Sequence, residues 1–407
     1  MTSSATGLVP DLAAHVAAFR RGAVDVVESR ELEARLAKAL AANKPLRIKF
    51  GMDPSSPDLH LGHAIPLLKL RDLQRLGHTI VLIVGDSTAM VGDPSGRNKL
   101  RPVLTREEVE RNLVTYTDQA AKLLDMSRTE VRRNSEWFDR MRFEEVLRLC
   151  ARMTVARMLE RDMFQKRIAD NEPIGVHEFL YPLMQGWDSV MIRCDVEFGG
   201  TDQLFNLHAG RLLQEQESQV PQILVTTPLI NGLDGRKMSK SYGNAVALTD
   251  PAREMYGKVM SLTDDAMPTW FELLTRLDSA EIAALLAGHP RAAKARLARE
   301  ITTTFHGDAE AAAAADAFDR QFAKGELPAD IPELRYGKDW PADGVPLASL
   351  LRDLGLEKSS SDARRSIEQG GVKLDGTVVK DTNHRVLAPS QPLLVQIGKR
   401  RFARVVR

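Results

Sequence analysis

The six residues Thr79-Ile-Val-Leu-Ile-Val84, closed by Gly85-Asp86, are the most restrictive stretch of this chain. They are apolar without alternation, and a strand of that kind keeps its surface from water only in a parallel sheet covered by helices on both faces. Neighbouring segments agree. Leu46-Arg-Ile-Lys-Phe50 alternates and ends at Gly51, and a helix over 61–76 follows, with Leu67, Leu68, Leu70 and Leu73 spaced to face a sheet. Residues 191–198 and 223–227 read as two further strands separated by a helix over 202–217, and a short strand at 130–132 lies between helical stretches 106–124 and 136–149. Alternation of this kind predicts an α/β domain with a mostly parallel sheet. Ligands in such sheets sit outside the carboxyl ends of the strands, which directs attention to residues 51–63, 85–101 and 198–203.

The rest of the chain is organised differently. Residues 8–43 read as two helices and 151–169 as another. From 250 to 324 the strand signals stop and Ala-rich helical segments take over, the five alanines at 311–315 being good helix formers. Pro328, Pro332, Pro341, Gly337 and Gly344 give 325–344 the composition of a linker. The expected division is therefore a sheet domain over 1–232, a loop over 233–249, an all-helical domain over 250–324, a linker over 325–344 and a small α+β domain over 345–407.

Composition narrows the class. With 43% hydrophobic and 27% charged residues in 407, disorder and a membrane bundle are poor readings. No apolar run approaches the roughly 18 residues of a membrane span, and the N-terminal stretch lacks the features of a signal peptide. Cys150 and Cys194 are too few for a disulfide framework and sit in no zinc pattern, so the expectation is a reducing, cytoplasmic setting.

Three constellations carry chemistry. Asp53-Pro-Ser-Ser-Pro-Asp-Leu-His60-Leu-Gly62-His63 lies where a strand ends and a helix begins, a place where unpaired backbone N–H groups and the helix dipole favour phosphate. Its two imidazoles, three residues apart, would share one helical face, and Gly62 would let a purine or ribose approach the backbone. Capping is the structural alternative for these residues. A metal reading is not needed, because Asp58 and the histidines lack a fourth ligand nearby. Further on, Gly232-Leu-Asp-Gly235-Arg236 precedes Lys237-Met-Ser239-Lys240-Ser241; two lysines and two hydroxyls on a glycine-rich loop make a clamp for triphosphate or pyrophosphate oxygens. The third is a helix on which Tyr181, Gln185 and Asp188 recur at spacings of four and three and share one face, with Pro182 interrupting the pattern. No P-loop sequence is present.

His-x-Gly-His early in an α/β domain, followed much later by Lys-Met-Ser-Lys-Ser, resembles the signature pair of class I aminoacyl-tRNA synthetases. Phe179-Leu-Tyr181-Pro-Leu-Met-Gln185-Gly-Trp-Asp188, Glu197-Phe-Gly199-Gly200-Thr-Asp202-Gln203 and Gly92-Asp93-Pro-Ser-Gly96 look like blocks of the bacterial tyrosyl-tRNA synthetases. The resemblance implies a Rossmann-like catalytic domain, ATP and L-tyrosine as substrates, Mg2+ arriving with the ATP, and a homodimer. It also implies that Asp188 accepts from the substrate phenol, that Tyr181, Asp93 and Gln185 hold its amino group, and that Gly51, Asp53 and Gln203 complete that pocket. Gly62, Gly200, Asp202, Lys237, Ser239 and Lys240 would meet ATP. One departure stands out: where the more familiar branch has a tyrosine two residues before the glycine matching Gly51, this chain has Lys49, which leaves the phenol's second partner open.

A carboxylate attacking the α-phosphorus of ATP needs no general base, so the expected catalysis is positioning and charge stabilisation by His60, His63, Lys237 and Lys240. Arg97 and Arg101 are further phosphate or tRNA candidates. The last domain resembles the small RNA-binding domain of the fourth small-subunit ribosomal protein, with a helix capped at Ser361 and with Arg364, Arg365 and Lys373 as RNA contacts. Residues 345–407 hold 12 Lys+Arg against 6 Asp+Glu, while the whole chain is formally +1. The basic charge is thus localised where tRNA would bind. Rival readings are a tryptophanyl-tRNA synthetase, a small-molecule adenylyltransferase and a non-catalytic RNA-binding protein on the same scaffold.

Overall fold

In the computed structural model, which describes residues 7–54, 58–95, 104–239, 242–323, 331–338, 340–398 and 401–407, the first sheet holds β1 (Asp25–Val27), β2 (Arg47–Met52), β3 (Thr79–Val84), β4 (Thr129–Arg133), β5 (Val196–Gly200) and β6 (Ile223–Thr227). Their spatial order is β1-β6-β5-β2-β3-β4. All neighbours pair in parallel except β1, which runs antiparallel along β6. β3 is buried along five of its six residues, as an unbroken apolar run requires. The chain proceeds outward from β2 through β3 to β4 and returns to the other side of β2 with β5. The β2/β5 junction is therefore the switch point of the sheet, where a crevice opens at the carboxyl ends.

Three local differences from the sequence expectations have physical causes. β1 interrupts the predicted helical pair, leaving helices Leu12–Arg20 and Ser29–Ala41; its three residues are held by β6, where Thr226 Oγ1 donates to Asp25 Oδ2 at 2.6 Å. Met191 and Ile192 end the helix Leu180–Ile192 instead of starting a strand, and Arg193 closes it in the left-handed region at φ 51°. Pro182 does not interrupt that helix: it falls in the first turn, where a missing N–H costs no intrahelical bond.

The helix Leu61–Arg75 links β2 to β3 and buries Leu61, Ala64, Ile65, Leu67, Leu68, Leu70 and Leu73. Its Lys69 reaches the end of the first helix and donates to the carbonyls of Ala18, Phe19 and Arg21, capping it. Burial pushes the Lys69 amine down to about 7. The helices Ala252–Val259, Met267–Leu274, Ser279–Ala287 and Pro290–His306 share one compact unit with the sheet, Met1–Ala312. Trp270, wholly buried, donates to the Asn231 carbonyl at 3.1 Å, and Arg276 pairs with Asp72 at 2.6 Å.

The second unit, Ala313–Arg407, contains helices Leu347–Asp353 and Ser360–Glu368 and the strands β7 (Glu333–Arg335), β8 (Val345–Pro346), β9 (Val372–Leu374), β10 (Thr377–Val379), β11 (Arg385–Val386), β12 (Leu393–Ile397) and β13 (Arg401–Val406). One sheet runs β10-β9-β12-β13-β7 and a two-stranded one pairs β11 with β8. β7 lies within the stretch whose composition reads as linker, yet it pairs in parallel with β13 and Tyr336 enters the core with Val345, Leu350, Ile367 and Val395. The second helix is capped by Ser359, whose hydroxyl accepts from the Asp362 N–H, and Ser361 falls inside it.

Candidate active site

β2 delivers Gly51 and then Asp53 to the crevice, and a Cβ at Gly51 would meet nothing within 4 Å, so the strand end faces open space. Asp53 is fixed from two sides: Thr88 donates to its Oδ1 and Tyr181 to its Oδ2, each at 2.8 Å. Tyr181 thus reaches from the first turn of helix Leu180–Ile192 to the end of β2.

Along that helix Gln185 and Asp188 are buried. Gln185 donates to Glu197 at 3.0 Å and accepts from Asn206 at 3.0 Å. Asn206 also approaches Asp93 and Ser95, and Gln203 donates to Asp93 Oδ2 at 3.3 Å. Asp53, Asp93, Tyr181, Gln185 and Gln203 therefore form one polar wall. Asp188 accepts from Trp137 Nε1 at 3.0 Å and from Asn134 Nδ2 at 3.4 Å. Burial pushes its carboxyl up to about 7, against the pull of Lys49 and of those two donors. A carboxylate held at such a depth with two neutral donors is built to accept one further hydrogen bond.

Several residues that support this wall carry no motif signal. Asn134 and Trp137 follow β4, and Arg161, sandwiched between Phe164 and Phe205, donates to Ser95 Oγ at 2.7 Å. Arg161 Nη1 and Asn206 Oδ1 are buried without a partner among the described residues, which leaves hydrogen-bonding capacity beside Asp93 for a polar ligand. Only buried polar residues in otherwise apolar stretches could have hinted at them.

On the other flank, His60 is the N-cap of helix Leu61–Arg75. Its Nδ1 accepts from the Gly62 N–H at 3.1 Å, and His63 Nδ1 accepts from the His60 N–H at 3.2 Å. The rings lie 4.0 Å apart. With Nδ1 accepting in both rings, the hydrogen of each neutral imidazole sits on Nε2, so capping and donation to phosphate are compatible roles. A Cβ at Gly62 would come within 2.9 Å of the His60 ring, so the missing side chain leaves that ring room to cap the helix. At Gly200 a Cβ would come within 2.6 Å of Asp202, so the glycine gives that carboxylate its place.

The lysine loop is joined to this turn. Leu61 N–H donates to Val246 O and Leu248 N–H to Leu59 O, both at 3.0 Å. Lys237 is half exposed and lies 3.7 Å from Asp202, whose carboxyl is raised by burial and lowered by that lysine. Ser239 N–H donates to the side chain of Asn244, which is buried and also donates to Asp234 at 2.7 Å and to the carbonyls of Arg236 and Lys237. Lys240, Ser241, Gly96, Arg97 and Arg101 lie outside the described residues. Among the described residues no group of three or more His, Cys, Asp or Glu side chains could hold a metal ion.

In the second unit Ala363 and Ile367 turn into the core, which leaves Arg364 and Arg365 exposed, while Lys373 on β9 is half-buried. Arg365 pairs with Asp362 on its own helix.

Comparison with known proteins agrees with this geometry. Residues 41–323 match the family described as tRNA synthetases class I (W and Y), and residues 345–390 match the S4 domain. The chain is 48% identical to a tyrosine–tRNA ligase of Syntrophotalea carbinolica, over 96% of this chain and 97% of that one. It is 49% identical to one of Ralstonia nicotianae, over 95% and 98%. Among solved structures, a C-terminally truncated mitochondrial tyrosyl-tRNA synthetase of Aspergillus nidulans is similar with a TM-score of 0.62 and 27% identity, over 76% of this chain and 94% of that one. A tyrosyl-tRNA synthetase of Archaeoglobus fulgidus shares the fold, with a TM-score of 0.58 and 23% identity over 75% and 100%.

Proposed function

The chain belongs to the class I tryptophan and tyrosine tRNA synthetases and, within them, to the tyrosine–tRNA ligases, and from that premise we propose how its residues divide the work. The reaction joins L-tyrosine to ATP, releasing pyrophosphate, and then passes the tyrosyl group to the terminal ribose of its tRNA. The observation that carries the assignment is a single helix face, Tyr181, Gln185 and Asp188, which Tyr181 ties to Asp53 at the end of β2, the strand that leads into the His60–His63 turn.

Asp188 accepts the substrate phenol, and the wall of Tyr181, Asp93 and Gln185 holds the ammonium, with Gly51, Asp53 and Gln203 completing the pocket. The substrate carboxylate then attacks the α-phosphorus in line, unaided by a base. His60 and His63 donate from Nε2 to the charge developing there, together with the N–H groups of the helix start. Gly200 and Asp202 receive the ATP ribose. Lys237, only loosely paired with Asp202, turns with Ser239 onto the departing pyrophosphate, where Lys240 adds its charge. Mg2+ comes with the ATP as part of the substrate.

Arg364, Arg365 and Lys373 hold the tRNA backbone from the S4 domain, within the five-part division expected from the sequence. A second copy of the chain covers the apolar side chains Phe143, Leu147, Val155, Ile168 and Val176, all exposed in the single chain, giving a homodimer through the catalytic domain. Among the described residues no helix is long and apolar enough to cross a membrane, and we place the reaction in the cytoplasm, where tRNA is used. ATP–pyrophosphate exchange with tyrosine, with tryptophan and with no amino acid tests the reading: exchange that depends on tyrosine alone supports it, and exchange driven by tryptophan overturns it.

A further inference from the structure

Lys49 and Glu197 face each other across the central strands β2 and β5, in register, and neither has any exposed surface. Their ion pair spans 2.9 Å. Lys49 spends its remaining donors on the Gln185 carbonyl at 2.6 Å and on Ser189 Oγ at 2.8 Å. Glu197 accepts from Gln185 Nε2 at 3.0 Å, from Ser189 Oγ at 3.2 Å and from Gln222. The pair therefore grips one turn of the pocket helix at both ends, residues 185 and 189, and Asp188 sits inside that turn. Gln185 is held by its backbone and by its side chain together.

With all three donors engaged, Lys49 has none to offer a substrate phenol. A buried ion pair is costly to assemble and rarely adds stability over an apolar pair of the same shape, so its presence beneath a binding pocket calls for a role in the pocket. We propose that the Lys49–Glu197 pair is the positioning element of the amino-acid pocket, fixing Gln185 and setting the charge that Asp188 presents to the phenol, and so contributing to the choice of tyrosine over phenylalanine. This rests on the assignment of Asp188 and Gln185 as tyrosine contacts.

The groups facing Asp188 support it. Trp137 and Asn134 approach from the β4 side and supply neutral hydrogen bonds; Lys49 and Glu197 supply the formal charges, from below. Lys49 pulls the carboxyl toward ionisation more strongly than Glu197 pushes it back. Removing both charges together leaves Asp188 harder to ionise, and leaves neither member of the pair as an unpaired buried charge.

The test is the full-length Lys49→Met/Glu197→Gln variant, in which the new amide can still meet Gln185, assayed by pyrophosphate exchange beside the parent. The expected result is a tyrosine KM raised on the order of tenfold, the scale of one charge-assisted hydrogen bond. Selectivity against phenylalanine falls by a similar factor, and the acidic limb of the KM profile moves to higher pH, while kcat changes less than KM. A folded double variant with the parent's KM, selectivity and pH profile overturns the proposal. Should it fail to fold, Ser189→Ala, which removes only the hydroxyl shared by the pair, carries the question: a few-fold rise in tyrosine KM with reduced selectivity supports the proposal, and parental values overturn it. A parent protein without tyrosine-dependent exchange would instead sink the underlying assignment.

Discussion

The backbone N–H of Leu61 donates to the carbonyl of Val246 at 3.0 Å, tying the first turn of the histidine helix to the segment that leaves the lysine loop. Two residues before Val246 stands Asn244, whose buried amide holds Ser239, Arg236, Lys237 and Asp234 together. Asn244→Ala takes the acceptor from the Ser239 N–H and a donor from the Lys237 carbonyl, at about 1–3 kcal/mol each where water cannot replace the amide, while the Arg236 carbonyl keeps the Gly232 N–H. Pyrophosphate exchange is expected to fall tenfold or more, about the effect of losing one such interaction in the transition state. Tyrosine binding without ATP, measured by equilibrium dialysis, should not change. An unaltered exchange rate would show that the loop base does not depend on this amide.

His60 caps its helix and is proposed to donate to phosphate, two roles that a substitution can separate. Asparagine is a strong N-cap, so His60→Asn should keep the helix start, whereas His60→Ala loses about 1 kcal/mol of stability in urea unfolding. Both remove the Nε2 donor, and both should slow exchange by roughly a hundredfold. If His60→Asn keeps the parental rate, the imidazole is a cap and nothing more.

With Asp188 as the proposed phenol acceptor, tyrosine binding should depend on pH. Burial raises its carboxyl to about 7, so the ionised form it would offer the phenol is depleted below that pH. Tyrosine KM is expected to rise from pH 8 to pH 6, and Asp188→Asn should flatten that profile. The fold holds this proton more tightly than the unfolded chain does. The group's contribution to stability is therefore complete below about pH 4, the ordinary carboxylate range, and is lost as pH rises through about 7. A KM that is constant from pH 6 to pH 8 in the parent would remove Asp188 as the phenol acceptor.

Much of this was legible in the residues, for reasons that also mark where legibility stops. β3 announces itself because it is apolar on both faces, and the helix face of Tyr181, Gln185 and Asp188 follows from helical spacing alone. β1 does not, since three residues with a leading aspartate become a strand only when β6 supplies the partner. The site divides in the same way. His60, His63 and Lys237 lie in contiguous strings, but Lys49 pairs with Glu197 only through the β2/β5 register, across 148 positions of chain. Asn134 and Trp137 reach Asp188 from another strand end, and nothing local distinguishes them from ordinary buried residues.

His15 and His78 form a relay in which every role is determined. Leu46 N–H donates to His78 Nδ1 at 3.2 Å, His78 Nε2 lies 2.8 Å from His15 Nδ1, and His15 Nε2 lies 2.8 Å from the Val9 carbonyl. Only two neutral rings satisfy this chain, and burial holds His78 down to about 3. His78 therefore contributes stability that is present above the ordinary histidine range, near 6.5, and is lost as pH falls from there toward 3. The slope expected from this group is up to about 1.4 kcal/mol per pH unit in urea unfolding. His78→Gln should be less stable at pH 7.5 and show a shallower acid loss; an acid branch identical to the parent's would exclude the relay as its source.

Arg364 and Arg365 are neighbours on one helix but differ in what engages them. Arg365 is paired with Asp362, whereas Arg364 has no ion-pair partner among the described residues. A phosphate contact by Arg365 competes with its pair to Asp362, so Arg364→Ala should raise the KM for tRNA more than Arg365→Ala does. Removing both should also reduce the slope of log affinity against log salt by about 1.5, since each phosphate contact contributes close to one released counterion. Tyrosine-dependent pyrophosphate exchange requires no tRNA, so it reports whether the substitutions act through RNA or through the fold. Equal effects of the two single substitutions on aminoacylation would mean that the Asp362 pair does not compete with RNA, and an unchanged salt slope in the double variant would place the phosphate contacts elsewhere on the domain.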